Sequence, residues 1–172
     1  MTPNRLPLVV SIFFGVFLIQ EGFINRINFF IGGFSLYLAF FMAWIINENR
    51  NAALVIGFVA GLIADLSPTI EAPFGLWTFV LTSIGYLLSA NLKGSLDLMD
   101  SPLTRTLWTV LGTSTAMISF AIAGSILGGQ FGTLTSIFKE LFGNALWTFL
   151  LSPIFIPITR AAQRMSLTAK DR

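Results

Sequence analysis

Apolar residues fill this chain in six long runs, and each run is close to the length needed to cross a bilayer. The expected spans lie near residues 6–24, 29–46, 49–66, 74–92, 103–127 and 138–158, followed by a basic tail at 159–172. A helix of ~20 residues crosses a hydrocarbon core of ~30 Å. The pattern therefore predicts an all-α polytopic transmembrane bundle, a single integral membrane domain over residues 1–172. The third run is short, because only residues 52–66 are apolar and 15 residues rising ~1.5 Å each cover ~22 Å. It either extends back into Asn49–Asn51 or its exit loop dips into the membrane. The first run is too long for a signal peptide and no small-residue cleavage site follows it, so it is expected to be retained. Trp44, Trp77, Tyr86, Trp108 and Trp147 fall near predicted span ends, where such rings favour the headgroup level or simply fill helix contacts.

Composition agrees: 55% of the 172 residues are hydrophobic and 10% charged, against about 25% charged in soluble domains. Cys and His are both absent. That removes disulfides, thiol nucleophiles and the commonest metal ligand, and no metal site or cofactor is expected. Neither paired carboxylates, nor a nucleophile with its base, nor a phosphate-cradling glycine loop can be assembled, so the expectation is a protein that is not an enzyme.

The distribution of basic residues matters more than the net charge of +2. Arg5, Arg50, Lys93, Arg105, Arg160, Arg164, Lys170 and Arg172 fall on one side of a six-span model, and only Arg26 and Lys139 on the other. The positive-inside rule then places both termini in the cytoplasm. Arg160, Arg164, Lys170 and Arg172 act as a cytoplasmic anchor, or attract anionic lipid at ~1 kcal/mol per residue. Basic residues so placed report orientation and give no sign of nucleic-acid binding. In the cytoplasmic stretch 93–106, Asp97 and Asp100 precede Ser101-Pro102, an expected N-cap and first helical residue.

The third run carries the most information. Ala53, Gly57, Gly61 and Asp65 recur every four residues, so they form one slowly turning stripe on a helix. Ala60 and Ala64 widen it. Small residues at this spacing let helix backbones approach, either within the protein or against a partner's helix. Gly124 and Gly128 repeat the spacing in the fifth run. A carboxylate at membrane depth costs ~2.5–3.5 kcal/mol, less near a helix end, so Asp65 is expected to face protein or water. Pro68, Pro73 and Gly75 shape the loop after it. Asp65 can accept hydrogen bonds from that loop or from the start of the fourth helix.

The stretch from Gly57 through Asp65 to Leu66, followed by Pro73-Phe74-Gly75 and by Gly85-Tyr86, resembles the signature of the MreD family of rod shape-determining membrane proteins. The match covers residues 51–92, and length and span count also fit. The resemblance implies a non-enzymatic scaffold in the bacterial cytoplasmic membrane that associates with MreC. Through MreC it would reach the MreB filament, a RodA-type glycosyltransferase and a penicillin-binding transpeptidase of peptidoglycan synthesis. It also implies a fold similar to the substrate-binding subunits of energy-coupling-factor transporters. That kinship supplies a rival, a small-molecule-binding transporter subunit. Against the rival, Gln20, Glu21, Asp65, Glu71 and Gln130 fall near predicted span ends and not at mid-membrane, where a convergent polar site is expected.

Overall fold

The computed structural model describes residues 5–68, 72–92, 101–129 and 132–167. It is 80% helix and contains six helices and no strand among the described residues. These are α1 (Arg5–Gly22), α2 (Leu36–Ile45), α3 (Arg50–Ala64), α4 (Leu76–Leu92), α5 (Pro102–Ile126) and α6 (Leu134–Ser166). Three of them, α1, α5 and α6, are long and apolar enough to cross a membrane. Their outward side chains, among them Phe14, Leu18, Leu111, Ile122, Phe142 and Ile154, are exposed and apolar, an exterior suited to lipid.

The centre of the bundle is α2. Residues 37–45 are all buried, so this helix is apolar on every side because it has neighbours on every side. Phe13 of α1 packs its ring against Tyr37, Phe40, Phe41 and Trp44 with centroids 5.4–6.2 Å apart. Edge-to-face pairs of this kind contribute about 0.5–1.5 kcal/mol beyond their buried area. Trp44 is fully buried and Trp77 nearly so, so packing and not the interface accounts for these two rings.

Helix ends alternate between the two poles of the bundle. At one pole the start of α1 meets the end of α2 and the end of α6 through Arg5, Glu48 and Gln163. At the other, the end of α1 bonds to residues 34 and 37 ahead of and within the first turn of α2, and the end of α3 bonds to the start of α4. Termination signals are local. Ser101 is the N-cap of α5 and Pro102 its first residue, as the sequence predicts. Thr133 caps α6 by accepting from the Ser136 N–H.

Three features depart from the expected spans. The second helix covers only Leu36–Ile45 of the expected 29–46, because Gly32 sits at φ +59° and Ser35 caps the helix by accepting the Leu38 N–H. Residues 29–35 are non-helical. The sixth helix runs on to Ser166, so residues 159–166 are packed helix and not a free tail. Within it Pro153 withholds an N–H from Phe149, and the Ser152 hydroxyl supplies a donor to that carbonyl at 2.8 Å. Finally, Gly128 lies beyond α5 at φ +84°, with Gly129 N–H on Gly124 O and Gly128 N–H on Ser125 O. This is a Schellman helix stop, which accounts for Gly128, where a Cβ would meet open space, while Gly124 is buried within α5.

Candidate functional site

Helix α3 presents its small stripe to α4. A Cβ placed on Gly57 would stand 2.6 Å from the Leu81 carbonyl oxygen, and one on Gly85 would stand 2.9 Å from that of Ala53. One on Gly61 would run into the backbone of Thr78 and Trp77. Steps of four along α3 (53, 57, 61) thus meet steps of four along α4 (85, 81, 77) in antiparallel register. Only glycine allows this approach at the three contact points. The spacing is used inside the chain, between its own two helices. At the other end of the pair, the Arg50 guanidinium lies 3.8 Å over the Tyr86 ring.

The stripe ends in Asp65, and its carboxylate completes the start of α4. Oδ1 accepts the Trp77 N–H at 2.9 Å; Oδ2 accepts the Thr78 N–H at 3.0 Å and the Thr78 hydroxyl at 2.6 Å. These are the second and third N–H groups of the helix, which have no intrahelical partner. A side chain at the N-cap usually supplies the acceptor, but the residue before Leu76 is Gly75, at φ +97°, which has none. Asp65 supplies it from the neighbouring helix, where the dipole of α4 also favours negative charge. Pro73 O accepts the Leu76 N–H at 3.2 Å. Pro68 and Pro73 are exposed, and Glu71 between them lies outside the described residues.

Two groups close to the cap in sequence stand at the edge of a cavity. Trp77, whose backbone the cap holds, turns its indole into the cavity wall, stacked on Phe120 at 4.1 Å. Ser67 donates to Glu21 Oε1 at 2.7 Å. The cavity is about 860 Å³, and its wall includes Gln20, Glu21, Asn144, Lys139 and Glu140. Residues 29–35 form one side of it, and α6 bonds two of their backbone groups. Asn144 Oδ1 accepts the Ser35 N–H at 2.8 Å, and Trp147 Nε1 donates to the Ile31 carbonyl at 3.3 Å. Gly143 makes room for this stretch, since a Cβ there would meet the Ile31 carbonyl. Gln20 ties the same stretch to α1, donating to Asn25 Oδ1 at 2.6 Å and to Phe34 O at 3.2 Å, and accepting from Tyr37 N–H at 3.3 Å.

Gln20 and Glu21, which the sequence places merely near a span end, therefore do converge with other polar groups. Asp65 does not join them; it serves α4. Gln130 lies outside the described residues. Asn144 is the residue that sequence reasoning missed. Its signal was there: a lone amide within an otherwise apolar run, where a polar group needs a partner.

The opposite pole holds a second cluster that sequence reasoning missed. Glu48 is buried and accepts from Arg5, from Trp44 Nε1 at 3.0 Å and from Gln163 Nε2 at 2.7 Å. The Arg5 Nε–H reaches Ser166 Oγ at 3.4 Å, and Gln163 Nε2 also donates to Trp44 O at 3.2 Å. Arg5, expected only as a marker of orientation, is 5% exposed and part of the core. Of the anchor residues, Arg160 and Arg164 are exposed on α6, while Lys170 and Arg172 lie outside the described residues, as do residues 93–100 with Asp97 and Asp100.

Set against known proteins, the chain matches no family model, no curated protein and no solved structure.

Proposed function

We propose that this chain is a non-enzymatic scaffold of the bacterial rod-elongation machinery, of the MreD kind, in the cytoplasmic membrane. The observation that carries the reading is the unit built by residues 51–92. The residues that resemble the MreD signature form one rigid antiparallel pair, joined by the Gly57, Gly61 and Gly85 contacts and closed by the Asp65 cap. A scaffold needs a surface of fixed shape, and this closely packed pair offers one. With six crossings as part of the proposal, the basic residues favour two cytoplasmic termini. The partner is an MreC-like protein with its own membrane helix; MreB, RodA-type and penicillin-binding enzymes are reached through it.

Co-purification from membranes tests the reading directly. Tagged chain is expected to recover an MreC-like protein, and to lose it on Asp65→Ala at normal membrane abundance. Absence of any MreC-like protein from the wild-type eluate overturns the scaffold assignment. Reporter fusions near Asn49, Leu96 and the C terminus should read cytoplasmic, and those near Thr69 and Gly132 external. The second reading, a small-molecule-binding membrane subunit, draws support from the polar cavity at the Asp65 end of the bundle.

A further inference from the structure

The basic residues that the sequence groups on one side do different work once the helices are packed. At the Glu48 pole Arg5 is buried and paired with Glu48, Arg105 is buried and donates to Asn47 Oδ1 at 3.4 Å, and the Arg50 guanidinium lies 3.8 Å over the Tyr86 ring. Those three are engaged by the fold. Arg160 and Arg164 are exposed on α6, and their guanidinium groups have no hydrogen bond or ion pair among the described residues. The dipole of α6 favours a cation in its last turn, which Arg164 occupies, but that effect fades within a turn and leaves Arg160 without a reason.

The outer face of α6 shows what these two charges meet. Thr159, Ala162, Gln163 and Ser166 turn to the core, so Arg160 and Arg164 stand on the other side, one turn apart. Like charges at this spacing repel, and an anion between them removes the repulsion. Towards the middle of the helix the outer face carries Leu150, Ile154 and Ile158, all exposed, a surface suited to acyl chains. Exposed Pro153 and Pro157 continue the edge on which the two arginines lie. The change from apolar to basic between Ile158 and Arg160 marks headgroup depth. Helix α5 does not extend alongside this stretch. The Thr106 hydroxyl meets Ser152 Oγ at 3.0 Å and α5 starts one turn earlier, at Pro102, whereas α6 runs on to Ser166.

From this arrangement we infer that Arg160 and Arg164 form a binding site for the headgroup of an anionic phospholipid, one phosphate being shared by both guanidinium groups while the acyl chains lie along Leu150, Ile154 and Ile158. Guanidinium and phosphate match in geometry as well as charge. An acidic protein segment would use the charges alone; the apolar strip that continues from them selects lipid. The site is independent of the scaffold reading, and of which side of the membrane this pole faces.

The test immobilises the tagged full chain in detergent micelles that carry trace fluorescent phosphatidylglycerol and phosphatidylcholine with identical acyl chains. The chain is expected to retain phosphatidylglycerol about tenfold better, a ratio worth ~1.4 kcal/mol. Arg160→Gln with Arg164→Gln should bring the ratio below about twofold at an unchanged melting temperature. Arg26→Gln with Lys139→Gln removes the same charge at the opposite pole and should leave the ratio as it is. If the Arg160/Arg164 variant does not fold, salt decides: about 0.5 M sodium chloride should lower the wild-type ratio several-fold. Equal retention of the two lipids by the wild-type chain overturns the site and leaves the pair to an acidic protein segment or to orientation alone. A preference that survives in Arg160→Gln with Arg164→Gln, or equal displacement by soluble glycerol phosphate, overturns it as well.

Discussion

The two poles of the bundle draw on similar residues, amides, carboxylates and basic groups at helix ends, and come out opposite. Around Glu48 every polar group found is spent on another: Arg5, Trp44 and Gln163 all donate to one buried carboxylate. Around Asn144 the polar groups border open space, and three buried polar atoms, Trp77 Nε1, Asn144 Nδ2 and Thr148 Oγ1, have no partner among the described residues. The backbone makes the difference. At the Glu48 pole three helix ends close directly on one another. At the Asn144 pole the non-helical residues 29–35 stand beside α6 and hold the cavity wall apart from the core. Polar residues at a membrane-helix end can therefore serve as mortar or as a site, and what decides is whether the neighbouring backbone leaves room.

The comparison breaks most sharply at Glu48. Glu48→Leu leaves the Arg5 guanidinium buried without its counterion, and should lower stability by about 3–5 kcal/mol. Thermal unfolding in detergent reads this, and adding Arg5→Met should restore part of the loss. A Glu48→Leu variant as stable as wild type would show that this pole is open to water. Next comes the α3–α4 pair, which ties the cavity to the core. Gly61→Leu drives a side chain into the Thr78 and Trp77 backbone and should cost about 1–3 kcal/mol, with loss of co-purified partner. An unchanged melting temperature would mean that the two helices separate freely.

Asp65→Ala leaves two helix N–H groups and a hydroxyl without their acceptor, at about 1–3 kcal/mol. Asp65→Asn should be milder, since one oxygen still accepts. Equal losses in the two would put the weight on charge and not on hydrogen bonding. The smallest effect is expected at the open pole. Trp77→Phe should change stability by less than about 0.5 kcal/mol or raise it slightly, because the group it deletes is an unpaired buried donor. A clear destabilisation would show that the Asn144 pole is as tightly partnered as its counterpart.

Much of this was legible in the residue order. The small stripe and the carboxylate at its end are read from steps of four, and the proline-glycine turn names the place where α4 must start without a capping side chain. These features lie within a few tens of residues of one another, so local spacing is enough. The burial of Arg5 was not legible, because charge near a helix end reads as an orientation signal and says nothing of a distant partner. Its partner Glu48 is 43 positions away, and Ser166, which it also touches, is 161 away. Asn144 was passed over because an apolar run absorbs one amide without changing its mean hydropathy.

By itself the sequence determined that this is a chain of apolar helices, where several of them start and stop, and which face of α3 is small. Hydropathy, capping and glycine spacing are sums over neighbours along the chain, and each helix satisfies its own backbone before it meets another. Only the tertiary structure decided that α2 is the hub, that one set of polar ends closes into an ion pair and that the other borders an open cavity. Those outcomes depend on which distant segments meet and how closely, and a buried charge or an unpaired donor exists only once the surrounding helices have excluded water.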